Sequence, residues 1–316
     1  MKYIYGPVPS RRLGRSLGVD LVPRKVCTYD CIYCQVGKTT RLTLEREEYV
    51  PAADILRDVH AALSEGDKGI DYIACSGSGE PCLNSAIGEI IAGIREMTGV
   101  PIAVITNSSL LSQQEVREAL LRADCVMPSL DAATQNSFQE INRPHPAMQV
   151  AEIIEGLTAF RSAYRGQLWL EILLCQGIND SEKEIDALRA AIRRIRPDRV
   201  QLNTVVRPAV EASAVALTLD QMELIKSALG DTAEIIADFT GMRHVALPEK
   251  IEERIIRIVE RRPMTPDDLV RVLSLGTEEI TMIADKLIAQ RKLKPRSFNQ
   301  QLYYEIDTGE PSKKVS

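Results

Sequence analysis

Residues 27–34 read Cys27-Thr28-Tyr29-Asp30-Cys31-Ile32-Tyr33-Cys34, three thiols within eight positions. Thiolates this close in sequence can converge on one metal centre from a single loop. A structural zinc site wants four ligands, and the chain's three histidines, His60, His145 and His244, all lie far from the triplet in sequence. A zinc knob would need a distant residue to complete it. Three cysteines suit a cubane [4Fe–4S] cluster with one iron left for an outside ligand, whereas four protein ligands would favour electron transfer or structure. An open iron implies chemistry on a bound molecule.

On both sides of the triplet the chain alternates between short apolar runs and helical patterns. Strands are expected at Leu17–Val22, Tyr72–Cys75, Ile102–Ile105, Cys125–Pro128, Leu168–Leu174 and Val200–Leu202. Most are apolar on both faces and closed by Gly, Ser, Asn or Pro, the texture of strands covered on both sides in a parallel sheet. Helices are expected at Ala52–Leu63, Ala86–Met97, Gln114–Arg122, Gln149–Tyr164, Glu182–Arg196 and Leu219–Leu229. Repeated strand-then-helix units make an α/β fold, either a partial barrel or an open doubly wound sheet. Both put a ligand at the carboxyl ends of the strands.

After Pro248 the pattern changes to three helices, Glu249–Arg262, Asp267–Leu273 and Thr277–Gln290, followed by two short strands within Arg291–Tyr304. Thr265 before Pro266 reads as a helix cap, and Thr277 before Glu278 and Glu279 as another. This is the order of a winged-helix module, which can bind nucleic acid, bind peptides or dock domains. Its basic residues Lys286, Arg291, Lys292, Lys294 and Arg296 gather near the presumed wing, while the expected recognition helix has little positive charge. Three parts are thus expected: a barrel over residues 1–245, the module over 248–307, and a disordered tail over 308–316.

The 316 residues are enough for about two domains. With 45% hydrophobic and 26% charged residues, wholesale disorder is excluded. No run approaches the roughly 18 apolar residues of a membrane span, and the start lacks a secretion-type apolar stretch, so a cytoplasmic protein with no membrane partner is expected. Seven cysteines in a reducing compartment are ligands, reactive thiols or core residues rather than disulfides. The net charge of −5 gives no reason for whole-molecule nucleic-acid binding.

The spacing C-x3-C-x-aromatic-C, with Tyr33 as the aromatic, resembles the signature of the radical S-adenosylmethionine (SAM) superfamily. Ser76-Gly77-Ser78-Gly79-Glu80-Pro81 resembles its glycine-rich glutamate motif, Thr106-Asn107-Ser108 its asparagine loop, and Ser129-Leu130-Asp131 stands where its ribose-contacting motif falls. The resemblance implies a partial (β/α)6 barrel with a small C-terminal winged-helix domain. It also implies one [4Fe–4S] cluster on Cys27, Cys31 and Cys34, and SAM held by Tyr33, Ser78, Gly79, Glu80, Asn107, Ser129 and Asp131. The implied activity is reductive cleavage of SAM to a 5′-deoxyadenosyl radical, with an electron donor of flavodoxin or ferredoxin type and a substrate such as tRNA or a peptide. Gly6-Pro7-Val8-Pro9-Ser10-Arg11-Arg12-Leu13-Gly14 and Ile141-Asn142-Arg143-Pro144-His145 resemble a group within the superfamily related to the tRNA wyosine-base synthases. Those enzymes carry extra cysteines ahead of the core, and here none precedes Cys27.

Other readings stand beside these. Cys75 and Cys125 belong to strands and are expected in the core, while Cys82 and Cys175, at strand ends, face either core or cavity. Arg11, Arg12, Arg143, His145, Asn203 and Arg207 are candidates for holding substrate, the arginines as anion clamps; surface or rigid-loop roles are the alternatives. A different class of function is an iron–sulfur redox sensor that binds DNA through the winged helix. If the module only recruits substrate, removing residues 248–316 should spare SAM cleavage. Anaerobically purified protein is expected to show the iron, sulfide and spectrum of one [4Fe–4S] cluster per chain; stoichiometric zinc would overturn this reading.

Overall fold

The computed structural model describes residues 1–10, 12–65, 69–236, 251–273 and 275–308, the side chain of Glu278 excepted. Arg11, the expected boundary between residues 245 and 248, and residues 309–316 of the tail lie outside the described residues.

An antiparallel hairpin of β1 (Ile4–Ser10) and β2 (Gly14–Asp20) opens the chain. The cysteine loop follows, braced by two short parallel segments, β3 (Val26–Cys27) and β4 (Arg41–Leu42). Then come α1 (Ala52–Ser64), β5 (Tyr72–Ser76), α2 (Ile87–Met97), β6 (Ile102–Thr106), α3 (Gln114–Leu120) and β7 (Cys125–Pro128). Two helices, α4 (Gln135–Asn142) and α5 (Val150–Ala163), precede β8 (Gln167–Leu174), α6 (Glu182–Ile195), β9 (Arg199–Thr204), α7 (Leu219–Leu229) and β10 (Ala233–Ile235). Local chemistry accounts for the helices. In α1 the buried Ala52, Ile55, Val59 and Ala62 recur at helical spacing. Ser181 caps α6, and Thr218 with Gln221 forms a reciprocal cap on α7.

Among the described residues the main sheet runs β1-β2-β5-β6-β7-β8-β9-β10, antiparallel at its first pair and parallel thereafter. Each parallel strand sits beside its predecessor, so every crossover steps the same way and, being right-handed, places its helix on the same face. A doubly wound sheet would reverse its order at a switch point. The architecture is therefore the partial barrel. Alternation along the strands divides the packing: Ile73, Cys75, Ile102, Val104, Leu168, Leu170 and Ile172 join the helices in the main core. The intervening Ala74, Ala103, Cys125, Met127 and Trp169 form a separate inner cluster, completed by Leu13.

Leu13, only 1% exposed, comes from the turn between β1 and β2 and fills the inside of the barrel. The expected strands do not include β1. Pro7 and Pro9 hide β1, because proline is tolerated in an edge strand but argues against a central one. The expected elements also lack α4 and β10, the first short and the second a three-residue edge strand.

Past residue 250, α8 (Ile251–Arg261), α9 (Pro266–Leu273), α10 (Thr277–Ala289) and the hairpin of β11 (Leu293–Phe298) with β12 (Gln301–Ile306) enclose a core of their own. Ile255, Leu269, Ile280 and Leu287 are central to it, and Val8 of β1 enters from the barrel side. Thr265 caps α9, its hydroxyl accepting the Asp268 N–H at 3.0 Å, but Gly276 rather than Thr277 occupies the cap position of α10. Among the described residues no helix is long and apolar enough to cross a membrane.

Leu13→Ala empties the centre of the inner cluster and is expected to cost about 2–5 kcal/mol, measured by urea unfolding. A loss under about 1 kcal/mol would show that the cluster collapses around the gap.

Candidate functional site

The cysteine loop packs Tyr29 and Ile32 into the main core and is registered by hydrogen bonds with the last turn of α4 and the residues that follow it. Asp30 N–H donates to Asn142 O at 3.1 Å, Ile32 N–H to Ile141 O at 3.0 Å, and His145 N–H to Thr28 O at 2.9 Å. Arg143 turns the chain in the left-handed region, φ 43°, just before Pro144, which could not have extended the helix. Held in this way, each half-buried thiol meets a polar donor from a different segment. Asn107 Nδ2 lies 3.6 Å from Cys27 Sγ, Asn142 Nδ2 3.5 Å from Cys31 Sγ, and Lys25 Nζ 3.1 Å from Cys34 Sγ. Among the described residues no three His, Cys, Asp or Glu side chains converge as ligands of a single ion. A cubane makes no such demand, since each thiolate binds a different iron. Burial pushes the Cys27 thiol up to about 11 and Cys31 well above its ordinary value, so loading a metal must release their protons.

Beside this loop lies the glycine-rich turn after β5. A Cβ on Gly79 would stand 2.0 Å from Val26 O, so only glycine lets the turn lie against the start of the cysteine loop. Glu80 is 1% exposed. Its Oε1 accepts from Cys82 N–H at 2.9 Å and Thr106 Oγ1 at 2.7 Å, and its Oε2 from Asn107 N–H at 2.8 Å. Burial pushes its carboxyl up, and those donors pull it part of the way back. No cationic side chain forms an ion pair with it among the described residues. Lys25, 4% exposed, joins the two loops: its N–H donates to Ser78 O at 2.7 Å while its ammonium faces Cys34. Burial works against the Lys25 charge, but the neighbouring thiols outweigh it and the group is held above its ordinary value.

Ser78 is an anchor. Its N–H donates to Asp20 Oδ1 at 2.9 Å, and its hydroxyl accepts from Arg261 Nη1 of α8 at 2.9 Å. Arg261 also forms a buried ion pair with Asp20. Through this contact the C-terminal module touches the turn that carries Glu80.

Asp131 is a second anchor, 3% exposed. It accepts from the Tyr33 hydroxyl, from Asn142 Nδ2 at 2.7 Å and from Leu173 N–H at 2.9 Å, tying the cysteine loop to α4 and β8. Burial raises it to about 6. A carboxylate has roughly four acceptor directions, so little is left over for a ligand. Ser129 lies at the end of β7, its carbonyl accepting from the Ser108 hydroxyl at 2.7 Å. Asn107, besides facing Cys27, donates to Thr28 Oγ1 at 2.8 Å.

The substrate candidates scatter. Arg12 pairs with Glu171 on β8, and Asn203 Nδ2 reaches the same carboxylate at 3.3 Å, a polar group on the inner face of the barrel. Arg207 is turned toward the C-terminal module. It is 5% exposed and docks the module, donating to Pro263 O at 2.6 Å and pairing with Asp268 at 3.0 Å. Arg143 is exposed and pairs with Glu211 at 3.0 Å, while His145 Nδ1 accepts the Ala147 N–H at 3.3 Å within its own loop. Their stretch serves to clamp the cysteine loop. Cys75, Cys82, Cys125 and Cys175 are all fully buried. Sequence reasoning missed Lys25, Asp20, Glu171 and Arg261; only Lys25, two positions before Cys27, stood near a motif.

A family profile described as the radical SAM superfamily matches residues 21–189. A UPF0026 protein of Methanocaldococcus jannaschii is 31% identical over 322 residues, covering 100% of this chain and 99% of its own length. A Brachyspira hyodysenteriae protein named GTPase Obg is 36% identical over 309 residues, 97% of this chain but 45% of its own, so this chain spans less than half of that relative. Among solved structures, a radical SAM methyltransferase from Sphaerobacter thermophilus superposes with a TM-score of 0.53 at 17% identity, covering 70% of this chain and 65% of that one. That likeness concerns the fold.

The Arg261–Asp20 pair carries a pH signature. Asp20 titrates at about 6 rather than 3.8, raised mainly by burial and held down mainly by Arg261. An acid with a raised folded value binds more protons folded than unfolded, so stability falls as pH rises through that window and stays lost above it. Removing the cation extends the window upward. Arg261→Met is therefore expected to lose about 3–5 kcal/mol at pH 8 and clearly less at pH 5, measured by urea unfolding. Equal losses at both would show that Asp20 is not the group uncovered.

Proposed function

The chain belongs to the radical SAM superfamily and, within it, to the UPF0026 proteins, and from that membership we propose a radical SAM enzyme working at one [4Fe–4S] cluster. The observation that carries the reading is Glu80: a buried carboxylate with three hydrogen-bond donors and no cation among the described residues, on a turn packed against the start of the cysteine loop. Such a group suits a cation brought by a ligand. The donor set fits the cofactors. Cys27, Cys31 and Cys34 would hold the cluster, and Glu80 the amino group of SAM, with Gly79 letting the turn that carries Glu80 lie against the cysteine loop. When bound, cluster and SAM together supply reductive cleavage of the sulfonium to a 5′-deoxyadenosyl radical, using an electron from a flavodoxin- or ferredoxin-type donor.

The chain's own residues place these groups. Lys25 sets a positive charge against the Cys34 sulfur, which favours the negative charge a thiolate-bound cluster carries. Asn107 and Asn142 aim amide donors at the other two sulfurs and fix the cysteine loop. Tyr33 is oriented by Asp131 through its hydroxyl. Ser129 and Asp131 are assigned the ribose, Asp131 through the acceptor direction its three protein donors leave. Ser78 serves by holding the glycine-rich turn in place.

Residues 248–307 are assigned as a winged-helix-like module that presents the substrate, with tRNA and peptide as the two classes such a module takes. A DNA-binding iron–sulfur sensor would have no use for a buried carboxylate awaiting a cation, so the enzymatic reading is preferred. Protein reconstituted anaerobically with dithionite and SAM should release 5′-deoxyadenosine, and Cys31→Ala should release none. Glu80→Gln gives up a charge-assisted bond and should raise the SAM concentration needed by about tenfold or more. No product from cluster-loaded protein would sink the proposal.

A further inference from the structure

Between the cysteine loop and the C-terminal hairpin lies a cavity of about 520 Å³. It is bounded by residues 34–38, by the loop after β9 at Pro208–Val210, by the end of α8 and by both strands of the hairpin. Its volume is that of a small-molecule site, and its position between two packed units is where such sites recur. Cys34 opens onto it, so anything held there lies beside the metal centre proposed above, on which this inference rests.

The charges around it are unbalanced. Arg24, Lys25, Lys38, Lys294 and Arg296 face only Glu260 and Glu305. Lys25 is taken by Cys34 at 3.1 Å, which leaves four cations against two carboxylates. Glu305 is shared by Lys294 at 3.5 Å and Arg296 at 3.4 Å, and Glu211 nearby is shared by Lys38 at 3.5 Å and Arg143 at 3.0 Å. Glu305 and Glu211 thus each hold two cations, and the excess stays positive on both walls. A concave wall of one sign focuses its field into the cavity.

We propose that this cavity is the substrate site and that it takes a phosphate-bearing molecule, gripped by Arg296 and Lys294 of the hairpin from one side and by Lys38 of the cysteine loop from the other. A phosphate monoester carries about −1.5 to −2 charges near neutral pH, which matches the excess, and guanidinium and ammonium groups are its usual partners. The hairpin is in this way a wall of the site. By contrast α10 carries Glu279 and Asp285 and commits Lys286 to Glu252 at 3.1 Å, so it offers no track for a nucleic-acid backbone. A peptide without phosphate has no counterpart for the excess charge.

The test uses full-length, cluster-loaded protein and inorganic pyrophosphate in equilibrium dialysis at low salt. Saturable binding of one pyrophosphate is expected, weakened about tenfold or more by Arg296→Glu and also by Lys38→Glu on the opposite wall. Arg193→Glu, a charge reversal on the exposed side of α6, should leave it unchanged. A short oligoribonucleotide that displaces pyrophosphate would identify the phosphate as that of an RNA strand, and failure to displace it a small phosphorylated molecule. No saturable binding, or binding that both wall variants leave intact, overturns the inference. 5′-Deoxyadenosine release by the unmutated protein is followed in parallel: release without pyrophosphate binding fells this inference alone, and no release fells the enzymatic reading.

Discussion

The site depends on the clamp between residues 28–32 and 141–145. Apolar packing of Tyr29 and Ile32 anchors the loop in the core, but the positions of its half-buried thiols are set by hydrogen bonds to a distant segment. Backbone bonds from Asp30, Ile32 and His145 are among them, and the Asn142 side chain adds contacts to Cys31, Tyr33 and Asp131. Backbone bonds suit the task because they set position without depending on flexible side chains. The clamp also settles why Ile141–His145 stands out as a string: the left-handed turn at Arg143 and the stop at Pro144 present the carbonyls that the cysteine loop needs.

A second layer of constraint comes from outside the barrel. Asp20 at the end of β2 orders the glycine-rich turn, and Arg261 from α8 neutralises it. Arg207 works in the opposite direction, from the loop after β9 into α9. Both pairs are buried, and removing one partner from such a pair leaves an uncompensated charge. Barrel and module are coupled through the turn that carries Glu80. Anything that shifts α8 acts on the same turn.

Much of the fold was legible because parallel α/β units write themselves in short apolar runs and amphipathic helices. The six strands expected from the sequence, and the helices that follow them, lie close to where periodicity puts them. Elements whose local signal opposes their structure were not legible. β1 carries Pro7 and Pro9, α4 is short and polar on most of its surface, and β10 spans three residues at the sheet's edge. In the site, Cys27, Cys31, Cys34, Glu80 and Asn107 announced themselves by residue type and spacing. Arg143, His145 and Arg207 drew notice for their chemistry, yet their positions assign them to clamping, surface pairing and docking.

The amino-acid sequence alone determined the number and spacing of the thiols, the glycine that lets a turn touch Val26, and the alternation of strand and helix. These are local properties, written within a few residues. Only the tertiary structure decided that the sheet is singly wound, that Leu13 fills the barrel, that Glu80 has three donors and no cation among the described residues, and that a hairpin some 260 residues beyond the cysteines walls the cavity beside Cys34. Those facts join segments far apart in the chain, and burial and charge pairing between distant residues leave no periodic trace in either partner.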